Sequence, residues 1–150
     1  MWQTAAALEI YFISGMEIMM SQLKCDFKVV GPVQTNCYFL SNTDTRECVI
    51  VDPGEEAGKI ADFIEKKELK PVAILLTHGH FDHIGAVDEI RNRYGIKVYA
   101  AAAEKETLEN PDINLSSQFG GGYTVKADEF LNDGQEIELL GEKVRCLLTP

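Results

Sequence analysis

The stretch LLTHGHFDHIG, Leu75–Gly85, holds all three histidines of the 150-residue chain and one aspartate within six positions, His78 to His83. It is delivered by VAILL at 72–76, a continuous apolar run of strand length, the signature of a strand covered on both faces. Where a chain leaves such a strand still extended, side chains two apart point the same way, so His78 and His80 converge on one cation. Asp82 and His83, further round the turn, face a neighbouring position and offer a carboxylate oxygen and an imidazole to a second ion. Gly79 and Phe81 between them contribute backbone freedom and packing. Imidazole with carboxylate suits zinc, Zn2+, and iron or manganese are chemically admissible. A lone histidine would carry little information, whereas three with an aspartate at a strand end point to a metal site.

Working outward, FKVVG, NCYFLSN and RECVIVD are rich in Val, Ile, Phe and Tyr and are separated by Gly31-Pro32 and by Asn-Thr-Asp-Thr at 42–45, which predicts a meander of short strands. After DPG at 52–54, Ala57, Ile60, Ala61 and Ile64 follow helical spacing, so residues 55–68 read as an amphipathic helix closed by Pro71. A second helix follows the motif, with Ile84, Val87, Ile90 and Tyr94 on one stripe and Gly95 as its left-handed cap. IKVYA, 96–100, is another buried strand. Strand, helix, strand makes a crossover unit, and with the opening meander it predicts an α/β (α+β) chain with a mixed sheet and helices packed on it. Residues 109–135, with Gly120–Gly122 and several Asn and Asp, read as a long polar connection that lines the site. Two strands around Gly141 close the chain.

At 150 residues the chain has about one domain's worth of core, and 45% apolar with 25% charged residues is ordinary for a globular protein. Twenty-four acidic against 14 basic residues give a net charge of -10, which repels a phosphate backbone and excludes nucleic acid as the main partner. Cys25, Cys37, Cys48 and Cys146 show no CxxC spacing, and with three of them among apolar neighbours they read as buried, reduced thiols of a cytoplasmic protein rather than disulfides or ligands. The apolar opening MWQTAAALEIYFISGMEIMM carries Glu9 and Glu17 with no Lys or Arg, so it fits neither a secretory leader nor a membrane span. Residues 1–22 are expected to lie outside the fold as an N-terminal extension, and 23–150 to form the domain.

THGHFDH resembles the HxHxDH motif of the metallo-β-lactamase superfamily. The preceding VIVDPG and GPVQTNCYFL are similar to its glyoxalase II-like, hydroxyacylglutathione hydrolase-like branch, over nearly all of residues 26–150. The resemblance implies an αββα sandwich with a dinuclear site at one edge, of which this chain holds the N-terminal part. It places the first metal on His78 and His80 and the second on Asp82 and His83, with Asp82 also a catalytic candidate that orients the nucleophile. Asp52 and Thr77 fall at positions that support the ligands or fix the turn.

The family continues past a strand ending in TP with Gly-His, then a bridging aspartate and a further histidine. This sequence ends at Pro150, so the chain is expected to be C-terminally incomplete. For the whole protein the resemblance implies hydrolysis of a small-molecule thioester such as S-lactoylglutathione, by a hydroxide generated between two cations about 3.5–4 Å apart. The rival enzyme readings are hydrolysis of a lactone, a β-lactam or a phosphodiester. The rival outside enzymes is an inactive metal-binding fragment or a half domain completed by a partner, which would expose sheet surface and dissolve poorly alone.

Overall fold

The computed structural model describes residues 7–8, 22–119 and 121–149. Apart from Ala7–Leu8 and Gln22, the extension expected over residues 1–22 lies outside the described residues. Strand β1 (Ala7–Leu8) is followed by β2 (Leu23–Val30), β3 (Thr35–Asn42), β4 (Glu47–Val51), helix α1 (Ala57–Lys66) and β5 (Lys70–Leu76). The motif then forms α2 (Phe81–Ile84), followed by α3 (Val87–Tyr94), β6 (Lys97–Ala101), α4 (Lys105–Glu109) and α5 (Ser116–Phe119). Strands β7 (Glu129–Leu131), β8 (Glu136–Leu139), β9 (Glu142–Arg145) and β10 (Leu148–Thr149) complete the order. No helix among the described residues is long and apolar enough to cross a membrane.

The expected mixed sheet forms. Its six strands run in the order β2-β3-β4-β5-β6-β7, antiparallel from β2 to β4 and parallel from β4 to β7. Helices α1 and α3 connect the parallel strands and pack on one face, where Ile60, Ile64, Val87 and Ile90 meet Phe39, Ile50, Ile74 and Leu76. On the other face Val49, Val51, Ala73 and Leu75 lie under Leu140, from the turn of the β8–β9 hairpin. That second face is open further out: Phe27 and Tyr38, paired in register, are 57% and 39% exposed. Strand β5 is covered on both sides, as its unbroken apolar run requires.

Three expectations change in detail. Helix α1 ends at Lys66, before Pro71, because Glu68 takes a left-handed conformation (φ 53°). Leu69 N–H then reaches Ile64 O and Glu68 N–H reaches Glu65 O, the paired bonds of a Schellman end. Pro71 is inside β5, at a register shift opposite Cys48, and β6 begins to pair only at Ala73, so its missing N–H costs the ladder nothing. The helix after the motif is two helices, since Ala86 N–H turns aside to Pro53 O at 2.9 Å, while Gly95 caps the second as expected (φ 64°). The connection 109–135 contains α5 and the edge strand β7, which is only three residues long and carries too little pattern to read.

Ile74 is fully buried at the centre of the sheet, and Ile74→Ala should lower the unfolding free energy by about 2–5 kcal/mol. Gly58 sits inside α1 with open space where a Cβ would be, so Gly58→Ala should raise it by about 0.5–1 kcal/mol. Urea denaturation of the two variants checks both signs.

Candidate metal centre

The site stands at the carboxyl ends of the adjacent parallel strands β4 and β5, where open α/β sheets bind ligands. Asp52 follows β4 directly and turns the chain at a positive φ of 52°, a conformation that Asp tolerates better than most residues. Its carboxylate is 3% exposed yet fully engaged. Oδ1 accepts Thr77 N–H at 2.8 Å, and Oδ2 accepts the Thr77 hydroxyl at 2.5 Å and His83 Nδ1 at 2.8 Å.

Thr77 and His78 continue β5. Because the Thr77 hydroxyl proton is committed to Asp52, His78 Nδ1, 3.0 Å from Thr77 Oγ1, is the donor in that contact, which assigns the tautomer and leaves Nε2 with a free lone pair. The rings of His78 and His80 stand edge to face with centroids 4.8 Å apart, and those of His78 and His83 are 3.9 Å apart. On its far side His83 Nε2 is 3.3 Å from Asp82 Oδ2, which also accepts the Thr35 hydroxyl at 2.6 Å. The motif sets His78, His80, Asp82 and His83 at one end of the sheet, but His80 and Asp82 fall outside its tightest grouping of ligand atoms. Among the described residues, ligand atoms of Asp52, His78 and His83 lie within 4.8 Å of one another.

Backbone approaches fix this arrangement. A Cβ on Gly54 would fall 1.7 Å from Asp82 O, and one on Gly85 would fall 2.3 Å from Gly54 O, so the DPG turn and α2 touch main chain to main chain. The 109–135 connection holds the motif from outside: Asn114 O accepts Phe81 N–H at 2.8 Å, and the Tyr123 hydroxyl donates to Phe81 O at 2.8 Å. Phe119 stacks on Phe81 with centroids 4.8 Å apart. Thr35 and Glu104, whose Oε2 accepts Gly79 N–H at 2.9 Å, are contacts that sequence reasoning missed. Neither carries a local signal, since each meets the motif across many residues of chain.

The electrostatics suit a cation. Burial, with His83 beside it, pushes the His78 imidazole down to about 4, so it is neutral at pH 7 and free to donate a lone pair. Burial also works against charge on His83, but its hydrogen bonds to Asp52 and Asp82 outweigh this and raise it to about 9. The bond to His83, against a smaller cost of burial and helped by Thr35, holds Asp82 well below the usual carboxylate range. A cation would thus meet the anionic Asp82 and the neutral His78 imidazole, and would have to displace the proton from His83.

The family model for the metallo-beta-lactamase superfamily matches residues 30–149. The chain belongs to the metallo-beta-lactamase superfamily. Among curated relatives it is 44% identical over 123 residues to "Probable metallo-hydrolase YqgX" of Bacillus subtilis, covering 81% of this chain and 57% of that one. It is 34% identical over 118 residues to hydroxyacylglutathione hydrolase of Serratia proteamaculans, covering 78% and 39%. Among solved structures the BLEG-1 B3 metallo-beta-lactamase matches with a TM-score of 0.73 and 41% identity, over 80% of this chain and 58% of that one. The chain thus spans little more than half the length of YqgX, and less of the glutathione-ester hydrolase.

The metal-free chain should show opposite pH limbs. His83 binds its proton more tightly when folded, so its contribution to stability is whole below about pH 6.5 and is lost as pH rises through about 9. His78 binds its proton less tightly when folded, so its contribution is whole above about pH 6.5 and is lost as pH falls through about 4. Thermal midpoints measured across this range should fall on both sides, and Asp52→Asn should flatten the alkaline limb and lower the His83 pKa in an imidazole NMR titration. An unchanged His83 titration in that variant would rule Asp52 out as the group holding the proton.

Proposed function

We propose that the complete protein is a metal-dependent hydrolase of small-molecule thioesters, of the hydroxyacylglutathione hydrolase type, with zinc as its metal. The observation that carries this reading is the donor cluster of His78, His80, Asp82 and His83 at the ends of β4 and β5. In this reading His78 and His80 bind one ion and Asp82 and His83 a second. Asp52 is the supporting group, because its Oδ2 takes His83 Nδ1 and directs Nε2 toward Asp82. Thr77 supports His78 in the same way. A bound divalent cation would supply Lewis acidity, both to water and to the carbonyl under attack.

The chain's own residues supply orientation. Asp82 is anionic at neutral pH and too weak a base to carry a proton far, so its part is to bind metal and to accept a hydrogen bond from the attacking water. Thr35 restricts it by occupying Oδ2. Beside Asp82 a cavity of about 240 Å³ is walled by Val33, Phe81, Phe119 and Tyr123, with Glu55 at its rim. That space fits a short acyl group rather than a whole drug-sized ligand. A thioester also suits a site without a strong acid, since a thiolate leaves with little protonation. The likeness to hydroxyacylglutathione hydrolase supports the same substrate class.

A β-lactam is the second reading, favoured by the 41% identity to BLEG-1. Assays of the complete, zinc-loaded protein on S-lactoylglutathione and on a penicillin separate the two. Thioester turnover should dominate, be abolished by a chelator and return with zinc, and Asp82→Asn should lower kcat by roughly 100-fold. A metal-loaded protein that opens the penicillin and leaves the thioester intact would sink the first reading.

A further inference from the structure

Glu104 is a buried acid, 6% exposed, to which the hydrolytic reading gives no part. It ends the 3-10 turn Ala102–Glu104 that follows β6. Its Oε2 accepts the N–H of Gly79, the residue between His78 and His80. Leu108 of the following helix α4 lies close to Gly79 as well, for a Cβ there would lie 3.0 Å from Leu108 N and 3.1 Å from the Leu108 side chain. A hydrogen bond from the 3-10 turn and close packing from α4 therefore hold the peptide that joins the two imidazoles.

A buried amide left without an acceptor is costly, and Glu104 Oε2 is the acceptor that Gly79 N–H finds. The grip bears on the HGH peptide, whose conformation sets where both rings point. We propose that Glu104 is a positioning residue for metal binding: its bond to Gly79 N–H fixes the His78–His80 peptide and with it the edge-to-face arrangement of the two rings. The proposal rests on the assignment of His78 and His80 as ligands.

Co2+ binding by the whole chain tests it, followed by absorption, with the His78 and His80 ring resonances of the metal-free chain read by NMR. Glu104→Ala should weaken Co2+ binding about 10–100-fold and displace both ring resonances, whereas Glu104→Gln, which keeps an acceptor, should stay within about threefold of the parent. Ile64→Ala, a core truncation in α1, should lower the thermal midpoint without either change, which separates positioning from general destabilisation. The proposal is overturned if Glu104→Ala moves only the thermal midpoint, or if the Gln variant binds as weakly as the Ala variant. Absence of Co2+ binding by the parent chain would instead count against the metal assignment, and the metal-free ring resonances would then decide the part played by Glu104.

Discussion

The Asp52 carboxylate is the tie on which the site depends. It is buried at the end of β4, and its two oxygens reach Thr77 twice and His83 once, joining β4, β5 and α2 in one set of bonds. A buried charge is tolerated only when its oxygens are met by donors, and here the donors belong to the metal motif itself. The same three bonds thus satisfy Asp52, choose the tautomer of His78 through Thr77, and hold a proton on His83 when no metal is bound. Removing the carboxylate would loosen all three at once, leaving His83 only its contact with Asp82.

Around that tie the fold contributes proximity. Gly54 and Gly85 let the DPG turn and α2 meet backbone to backbone, and any side chain there would force them apart. Thr35 enters from β3, Glu104 from beyond β6, and Asn114 and Tyr123 from the connection after α4. Almost every contact to the motif is to backbone or to an already engaged side chain. The open side is the groove by Phe81 and Phe119.

Much of this was legible in the sequence because the signals were local. VAILL is a strand covered on both faces, and Ala73 to Leu76 are all buried; Gly95 is the left-handed cap that its place after Tyr94 indicated. HGHFDH placed four candidate donors at one strand end by its spacing, while the tightest grouping of ligand atoms, Asp52 with His78 and His83, draws on a residue outside the motif. Pro71 was misread because its tolerance in β5 depends on a register shift against Cys48, which no window around the proline contains. Strand β7 is too short to show a period, and Ala86 leaves its helix for a carbonyl in the DPG turn. Thr35 and Glu104 stayed hidden for the same reason, since they meet the motif 47 and 25 residues away along the chain.

Those separations also order the events of folding. The Asp52 bonds to Thr77 and His83 span 25 and 31 residues and require β4 and β5 to be aligned in parallel across the intervening α1. Closing such loops costs entropy before any contact repays it, and parallel pairing of this kind is slow. The donors are therefore scattered in the early chain and meet only when the central strands have locked. A metal ion would then meet a cluster that the backbone has already drawn together.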